Sequence, residues 1–243
     1  MARQKLGQHF LADQNVLQRI AEAACAEGEP VVVEIGPGKG ALTEHLLRRA
    51  LNVAAVELDG ELAQALACRY PALEVVQGDA LQVDFSRWLG APVAGNLPFY
   101  VATPIIARVV RLRRQAVFLV QKEVAERLVA SPGSRDYGYL SLDTQFFAEA
   151  SLLFTVHPEA FRPPPKVDSA VVRLAPRKEA PHPDADAFLP FVSQAFRQKR
   201  KTLRNNLAAR YGRELVEAQP EASERAEALS MAQFASLFRR LVP

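Results

Sequence analysis

The chain has 243 residues, a net charge of +3 and 49% hydrophobic residues. That is enough for one large domain or a medium domain with a small one, and it excludes a disordered chain. The charge excess is too small to select a partner in bulk, so electrostatic preference must come from local clusters. The two cysteines, Cys25 and Cys68, form no close-spaced metal or redox pair, which fits a reducing cytosol and argues against a disulfide scaffold or zinc ribbon. No apolar run approaches the ~18 residues of a membrane span, and the opening MARQKLGQHF lacks a signal-peptide core, so a soluble, cytoplasmic protein is expected.

From Asp13 to Ala26, apolar groups recur at Val16, Leu17, Ile20, Ala23 and Ala24, a helical period with Asp13 as N-cap. Residues 30–35 are a short β-branched run that reads as a buried parallel strand. Glycines follow, then Leu42, Leu46 and Leu47 on a helix. The alternation continues with a strand over 52–58, a helix over 60–69, and strands over 73–77 and 92–95. A helix over 103–112, a strand over 115–120 and a helix to Ala130 complete it. Such alternation builds a parallel sheet covered on both faces. Two later apolar stretches, 151–156 and 168–174, flank Phe161 and the triplet Pro163-Pro164-Pro165; prolines cannot sit inside a central strand, so an antiparallel edge pair is expected. The run 175–183 carries three prolines and no apolar periodicity, a linker. Beyond it the periodic stretches 187–211, 222–229 and 231–241 predict a small helical domain over 184–243, after a first domain over 1–176.

Glu34-Ile35-Gly36-Pro37-Gly38-Lys39-Gly40 lies between the first buried strand and its helix, where glycines let backbone approach a ligand with no Cβ in the way. The third glycine comes one residue too early for a dinucleotide fingerprint. The pattern, opened by Glu34, resembles that of S-adenosylmethionine methyltransferases, whose ligand has no pyrophosphate to seat on the helix end. Glu57 ends the second strand, where a carboxylate can accept ribose hydroxyl protons. Asp79, before Ala80, ends the third, where it can accept from an adenine amine.

Asn96-Leu97-Pro98-Phe99-Tyr100 closes the fourth strand, a tetrad type suited to methylating an amine conjugated with a ring. An adenine N6 lone pair is delocalised. The Asn96 side-chain oxygen and the Leu97 carbonyl can each accept one N6 hydrogen, which favours a pyramidal nitrogen and frees the lone pair. Pro98 fixes the turn that points both oxygens the same way. Positioning and electrostatics then carry the reaction.

These residues carry a resemblance to the ribosomal RNA adenine N6,N6-dimethyltransferases of the KsgA type, relatives of the erythromycin-resistance methylases. It spans nearly the whole chain: Gly7 to Leu11 with Asp13 and Asn15, the Glu34–Gly40 loop, Gly78-Asp79-Ala80, Asn96-Leu97-Pro98, Gln121 to Leu128, Tyr137-Gly138, Phe161 with Pro163 to Ser169, and Arg200 to Asn205. The resemblance implies a Rossmann-like methyltransferase sheet with helices on both faces plus a small all-α C-terminal domain. It implies S-adenosylmethionine as cofactor, with Gln8, His9 and Leu11 against its methionine and sulfonium end and Gly36 and Gly38 below it. Glu57 then holds the ribose and Asp79, with Ala80, the adenine. Asn96, Leu97 and Pro98 meet the target amine while Phe99 and Phe161 sandwich the base. It implies dimethylation of two adjacent adenosines near the 3′ end of small-subunit (16S) ribosomal RNA, by a monomer acting on a pre-ribosomal 30S particle. One departure is Phe99, followed by Tyr100, where relatives carry tyrosine; a lost hydroxyl costs about 0.5–1.5 kcal/mol. His9 stands where asparagine is common.

Residues 197–204 hold Arg197, Lys199, Arg200, Lys201 and Arg204 with no acid between, and Arg108, Arg111, Arg113 and Arg114 form a second group. With a base-stacking pocket they suggest a phosphate-tracking surface for RNA, from which the target base is unstacked to react. His45, His157 and His182 lack metal-ligand spacing, and Trp88 reads as packing. Three alternatives stand beside this reading: a large-subunit resistance methylase, a ribosome-assembly factor with little catalysis, and a nicotinamide-dependent oxidoreductase. The last is disfavoured by Gly40's position and by the Asn96 tetrad.

Overall fold

The computed structural model describes residues 9–182 and 184–242. It opens on a two-residue strand, β1 (Phe10–Leu11). The Asp13 carboxylate accepts the Asn15 and Val16 N–H groups at 2.9 and 3.1 Å, which starts α1 (Gln14–Ala24) with Leu17, Ile20, Ala21 and Ala24 buried. Strands and helices then alternate: β2 (Val32–Ile35), α2 (Ala41–Leu47), β3 (Val53–Glu57), α3 (Gly60–Arg69), β4 (Glu74–Gln77), β5 (Val93–Asn96), α4 (Ala102–Arg111) and β6 (Ala116–Gln121). Next come α5 (Lys122–Val129), α6 (Tyr139–Phe147), β7 (Ala148–Val156), β8 (Phe161–Arg162) and β9 (Ser169–Pro176). The last helices are α7 (Ala185–Ala195), α8 (Leu203–Tyr211), α9 (Arg213–Glu217) and α10 (Met231–Leu241).

Seven strands form one sheet in the order β4-β3-β2-β5-β6-β9-β7, and β1 pairs with β8 in a separate ribbon. The strands from β4 to β6 pair in parallel, and β9 runs antiparallel to β6. Every residue of β2 and β3 is buried, as apolar strands covered on both faces require. The expected edge pair is only half an edge: β9, whose Ala170, Val171, Val172 and Leu174 are wholly buried, lies inside the sheet, and β7 takes the rim. From β2 the chain winds outward to β4, then crosses back to lay β5 on the other side of β2. A crevice therefore opens at the carboxyl ends of β2 and β5, where parallel sheets of this kind bind their ligands.

The residues fall into two compact units. One joins the described residues up to Ala125 with Glu149–Pro176; the other joins Glu126–Ala148 with the described residues from Arg177 onward. The second is thus larger than the helical domain expected over 184–243. Within it the Phe146 ring packs on Phe188 at 5.5 Å, Phe188 and Phe191 pack on Phe238, and the Tyr137 hydroxyl donates to the Leu229 carbonyl at 2.9 Å. Helix α6 leaves no amphipathic trace in the sequence because it is buried all round. The single helical stretch expected over 187–211 is two helices, and 222–229 holds only the short 3-10 turn Ala226–Ala228. The break between α7 and α8 is held by buried Asn206. Its side-chain amide donates to the Ala195 carbonyl at 2.7 Å and its side-chain oxygen accepts the Gln198 N–H at 3.2 Å.

Candidate active site

The crevice holds a cavity of about 260 Å³. Its floor is the loop after β2, where Gly36 and Gly38 take φ values of +68° and +57°, a region that Cβ-bearing residues avoid. A Cβ at Gly38 would sit 3.3 Å from the Phe10 ring, so the missing side chain lets Phe10 lie on the loop. Lys39 in turn places its ammonium 4.5 Å from the centre of that ring.

Two acids lie at or one residue before the ends of the strands beside this loop. Glu57 on β3 accepts the Gly38 N–H with Oε2 and the Asp59 N–H with Oε1, each at 3.0 Å, which leaves lone pairs on both oxygens for further donors. Glu34 on β2 is 1% exposed and accepts from the Thr43 hydroxyl at 2.5 Å. Burial pushes its pKa up to about 8; the Thr43 hydrogen bond opposes this and the neighbouring Glu57 charge adds to it.

The ribbon of β1 and β8 closes one side, pairing Leu11 with Phe161 and Phe10 with Arg162. It brings His9, Phe10, Leu11 and Phe161 to the cavity wall although they lie about 150 residues apart in sequence. Nδ1 of His9 lies 2.8 Å from the Pro163 carbonyl oxygen; a carbonyl only accepts, so that nitrogen carries the hydrogen. The His9 ring stacks on Phe99, centroids 6.0 Å apart and planes 30° apart. Phe161 is 1% exposed and forms a back wall more than a free stacking face.

Asn96, the last residue of β5, and Leu97, Pro98, Phe99 and Tyr100 line the same cavity. The Leu97 N–H bonds the Leu119 carbonyl at 3.1 Å and the Pro98 carbonyl accepts the Val101 N–H at 3.1 Å, so the turn into α4 is fixed at both ends.

Of the residues singled out from the sequence, the cavity therefore unites His9, Leu11, Glu34, Gly36, Gly38, Glu57, Asn96, Leu97, Pro98, Phe99 and Phe161. Gln8 lies outside the described residues. Asp79 and Ala80 are not on its wall: β4 is two strands from β2, and the Asp79 carboxylate accepts the Leu81 N–H at 2.8 Å. Arg108 is not a free RNA contact; its guanidinium donates to the Leu81 carbonyl and, at 2.7 Å, to the Val83 carbonyl. Arg111 donates to Ala107 of its own helix at 2.5 Å. In the helical unit Arg197, Arg200, Lys201 and Arg204 are all exposed in or beside the α7–α8 break. Thr43, Phe10 and Lys39 join the site without being marked by residue type or spacing. Of the three, Thr43 alone answers to a physical requirement: a buried acid needs a donor, and the first turn of the next helix faces it.

The residues fit S-adenosylmethionine: a loop whose Gly36 and Gly38 bring no Cβ to the floor, a Glu57 carboxylate with acceptor capacity to spare, and a cavity that continues to the Asn96 turn. Sheet order, glycine loop and acid-ended strands together define an S-adenosylmethionine-dependent methyltransferase. A family model described as ribosomal RNA adenine dimethylase matches residues 1–242; the chain belongs to that family. It is 41% identical, over 98% of its length and 92% of the relative's, to "Ribosomal RNA small subunit methyltransferase A" of Chlorobium chlorochromatii. Among solved structures, a dimethyladenosine transferase from Plasmodium falciparum superposes with a TM-score of 0.81 at 26% identity, covering 95% of this chain and 96% of that one. The 23S rRNA methyltransferase ErmE does so at 0.73 and 28%, covering 96% and 100%. Among the described residues no helix is long and apolar enough to cross a membrane.

Proposed function

We propose that this chain transfers methyl groups from S-adenosylmethionine to the N6 amines of two adjacent adenosines near the 3′ end of small-subunit ribosomal RNA, giving N6,N6-dimethyladenosine. The observation that carries the reading is the position of Asn96 and Leu97, on the wall of the cavity that also holds Glu57 and the glycine loop. When bound, the cofactor supplies an electrophilic methyl group on a sulfonium. In the first transfer the Asn96 side-chain oxygen and the Leu97 carbonyl each accept an N6 hydrogen, so the nitrogen lone pair is released from the ring and aimed; the methylated ammonium sheds a proton to water, and the one remaining N6 hydrogen is held by one of these oxygens for the second transfer. Phe99 stacks on the base, and Phe161 backs the pocket. Glu57 takes the ribose hydroxyls, Gly36 and Gly38 underlie the cofactor, and His9 and Leu11 flank its methionine end. Asp79 and Ala80, beyond the cavity wall, mark the side on which the adenine amine would fall.

Arg197, Arg200, Lys201 and Arg204 follow the RNA phosphates. The enzyme works in the cytoplasm as a monomer on a pre-ribosomal 30S particle. The name of the 41%-identical relative supports the small subunit as substrate, whereas likeness to ErmE, at 28%, favours the large-subunit alternative less. The test incubates the protein with labelled S-adenosylmethionine and undermethylated small subunits, then digests the RNA and looks for dimethyladenosine. Label confined to large-subunit RNA would install the resistance-methylase reading; cofactor binding without any methylation would install the assembly-factor reading.

A further inference from the structure

The cavity mouth carries two consecutive aromatic residues that the fold treats differently. Phe99 is half-buried and has its partner, the His9 ring, which the Pro163 carbonyl anchors. Tyr100 also touches the cavity, yet it is 61% exposed, and among the described residues it has neither a hydrogen-bond partner nor a ring partner. Packing does not account for it. Nor does the turn, which the Pro98 carbonyl and the Val101 N–H close without it.

Tyr100 is thus an exposed, uncommitted ring at the cavity rim, one residue beyond Phe99. When an adenine leaves its loop to enter the cavity, the next base loses a stacking neighbour. A tyrosine face at the rim can replace that neighbour, because any base offers a π-face. From this geometry we infer that Tyr100 is an RNA-contact residue that stacks on the nucleotide flanking the target adenosine and holds the strand while its neighbour is in the pocket. The inference rests on the reading of the cavity as an RNA adenine site. It assigns Tyr100 a role separate from that of Phe99.

The test is a two-way cycle on binding. A fluorescein-labelled RNA hairpin with two adjacent adenosines in its loop is titrated by anisotropy, with the intact loop and with an abasic nucleotide placed in turn on either side of the target. Against the intact hairpin, Tyr100→Leu should weaken binding roughly five- to 150-fold, the range for removing one base–aromatic stack, while Tyr100→Phe stays within about twofold. The abasic RNA should lose a similar factor with the wild-type protein and almost nothing further with Tyr100→Leu. On undermethylated small subunits the same variant should raise KM for the particle and leave kcat within a few fold. If the intact and abasic hairpins bind the wild type equally, or if the leucine and abasic losses simply multiply, Tyr100 does not stack on the flanking base and the inference is overturned. Failure of the wild type to methylate subunits would instead strike the underlying reading.

Discussion

The Thr43 hydroxyl donates to the Glu34 carboxylate at 2.5 Å inside the sheet–helix interface, so the acid that opens the glycine loop is bound to the helix that follows it. Both side chains are buried, and the pair sets how this site responds to pH. Burial, opposed by the Thr43 bond and reinforced by Glu57, moves Glu34 from its ordinary 4.5 to about 8. Between those values the folded chain keeps a proton the unfolded chain has released, so stability falls as pH rises through the window; below it both states are protonated and nothing is lost. Glu34→Gln should flatten the Tm profile between about pH 5 and pH 8 relative to wild type. Parallel profiles would show that Glu34 ionises normally.

Thr43→Val removes the hydroxyl that the fold aims at that acid. It should cost about 1–3 kcal/mol, and more at alkaline than at acid pH, because the hydroxyl supports the ionised carboxylate. Urea titration at both pH values measures it.

Gly95 precedes Asn96 on β5, and a Cβ there would stand 2.5 Å from the Ile35 carbonyl oxygen of the adjoining strand. Backbone cannot yield as a side-chain tip can. Gly95→Ala should destabilise the fold by about 1–3 kcal/mol and depress methylation by displacing Asn96 from the glycine loop. A Tm within a degree or so of wild type would mean that the strands part freely.

Asn96→Ala takes away one of the two oxygens that would grip N6. Dimethyladenosine formation should fall below detection while S-adenosylmethionine affinity, by calorimetry, changes little. A variant with ordinary turnover would remove the carboxamide from the mechanism.

Arg200, Lys201 and Arg204 stand exposed, and among the described residues no ion pair engages them. Neutralising all three should weaken RNA binding and reduce the slope of log affinity against log salt by about 2–3, near 0.7–0.9 for each phosphate left without its cation. An unaltered slope would place the RNA elsewhere.

Much of the first unit is legible along the chain because its signals are local. Asp13 announces α1 by capping it, β-branched runs mark β2 and β3, and the glycine loop needs only its own φ values. Helix α6 escapes because burial on every side erases the period that reveals a surface helix. The break between α7 and α8 escapes because it depends on Asn206, which reaches back to Ala195 and Gln198 only once the helices have docked. Arg108 and Arg111 read as an open basic patch. The carbonyls that hold Arg108, at Leu81 and Val83, belong to a distant loop, while Arg111 turns back on its own helix.

Residue type and short spacing suffice to mark the side chains able to do chemistry, because the strand-end acids, the glycines and the Asn96 turn are each defined within a few positions. Which of them share one cavity depends on the folded chain. The wall runs from the glycine loop to the Asn96 turn and leaves out Asp79 at the end of β4, and the two-residue pairing of β1 with β8 draws in His9 and Phe161. Such pairing has no signature along the chain, because the partners meet only when the sheet between them has formed.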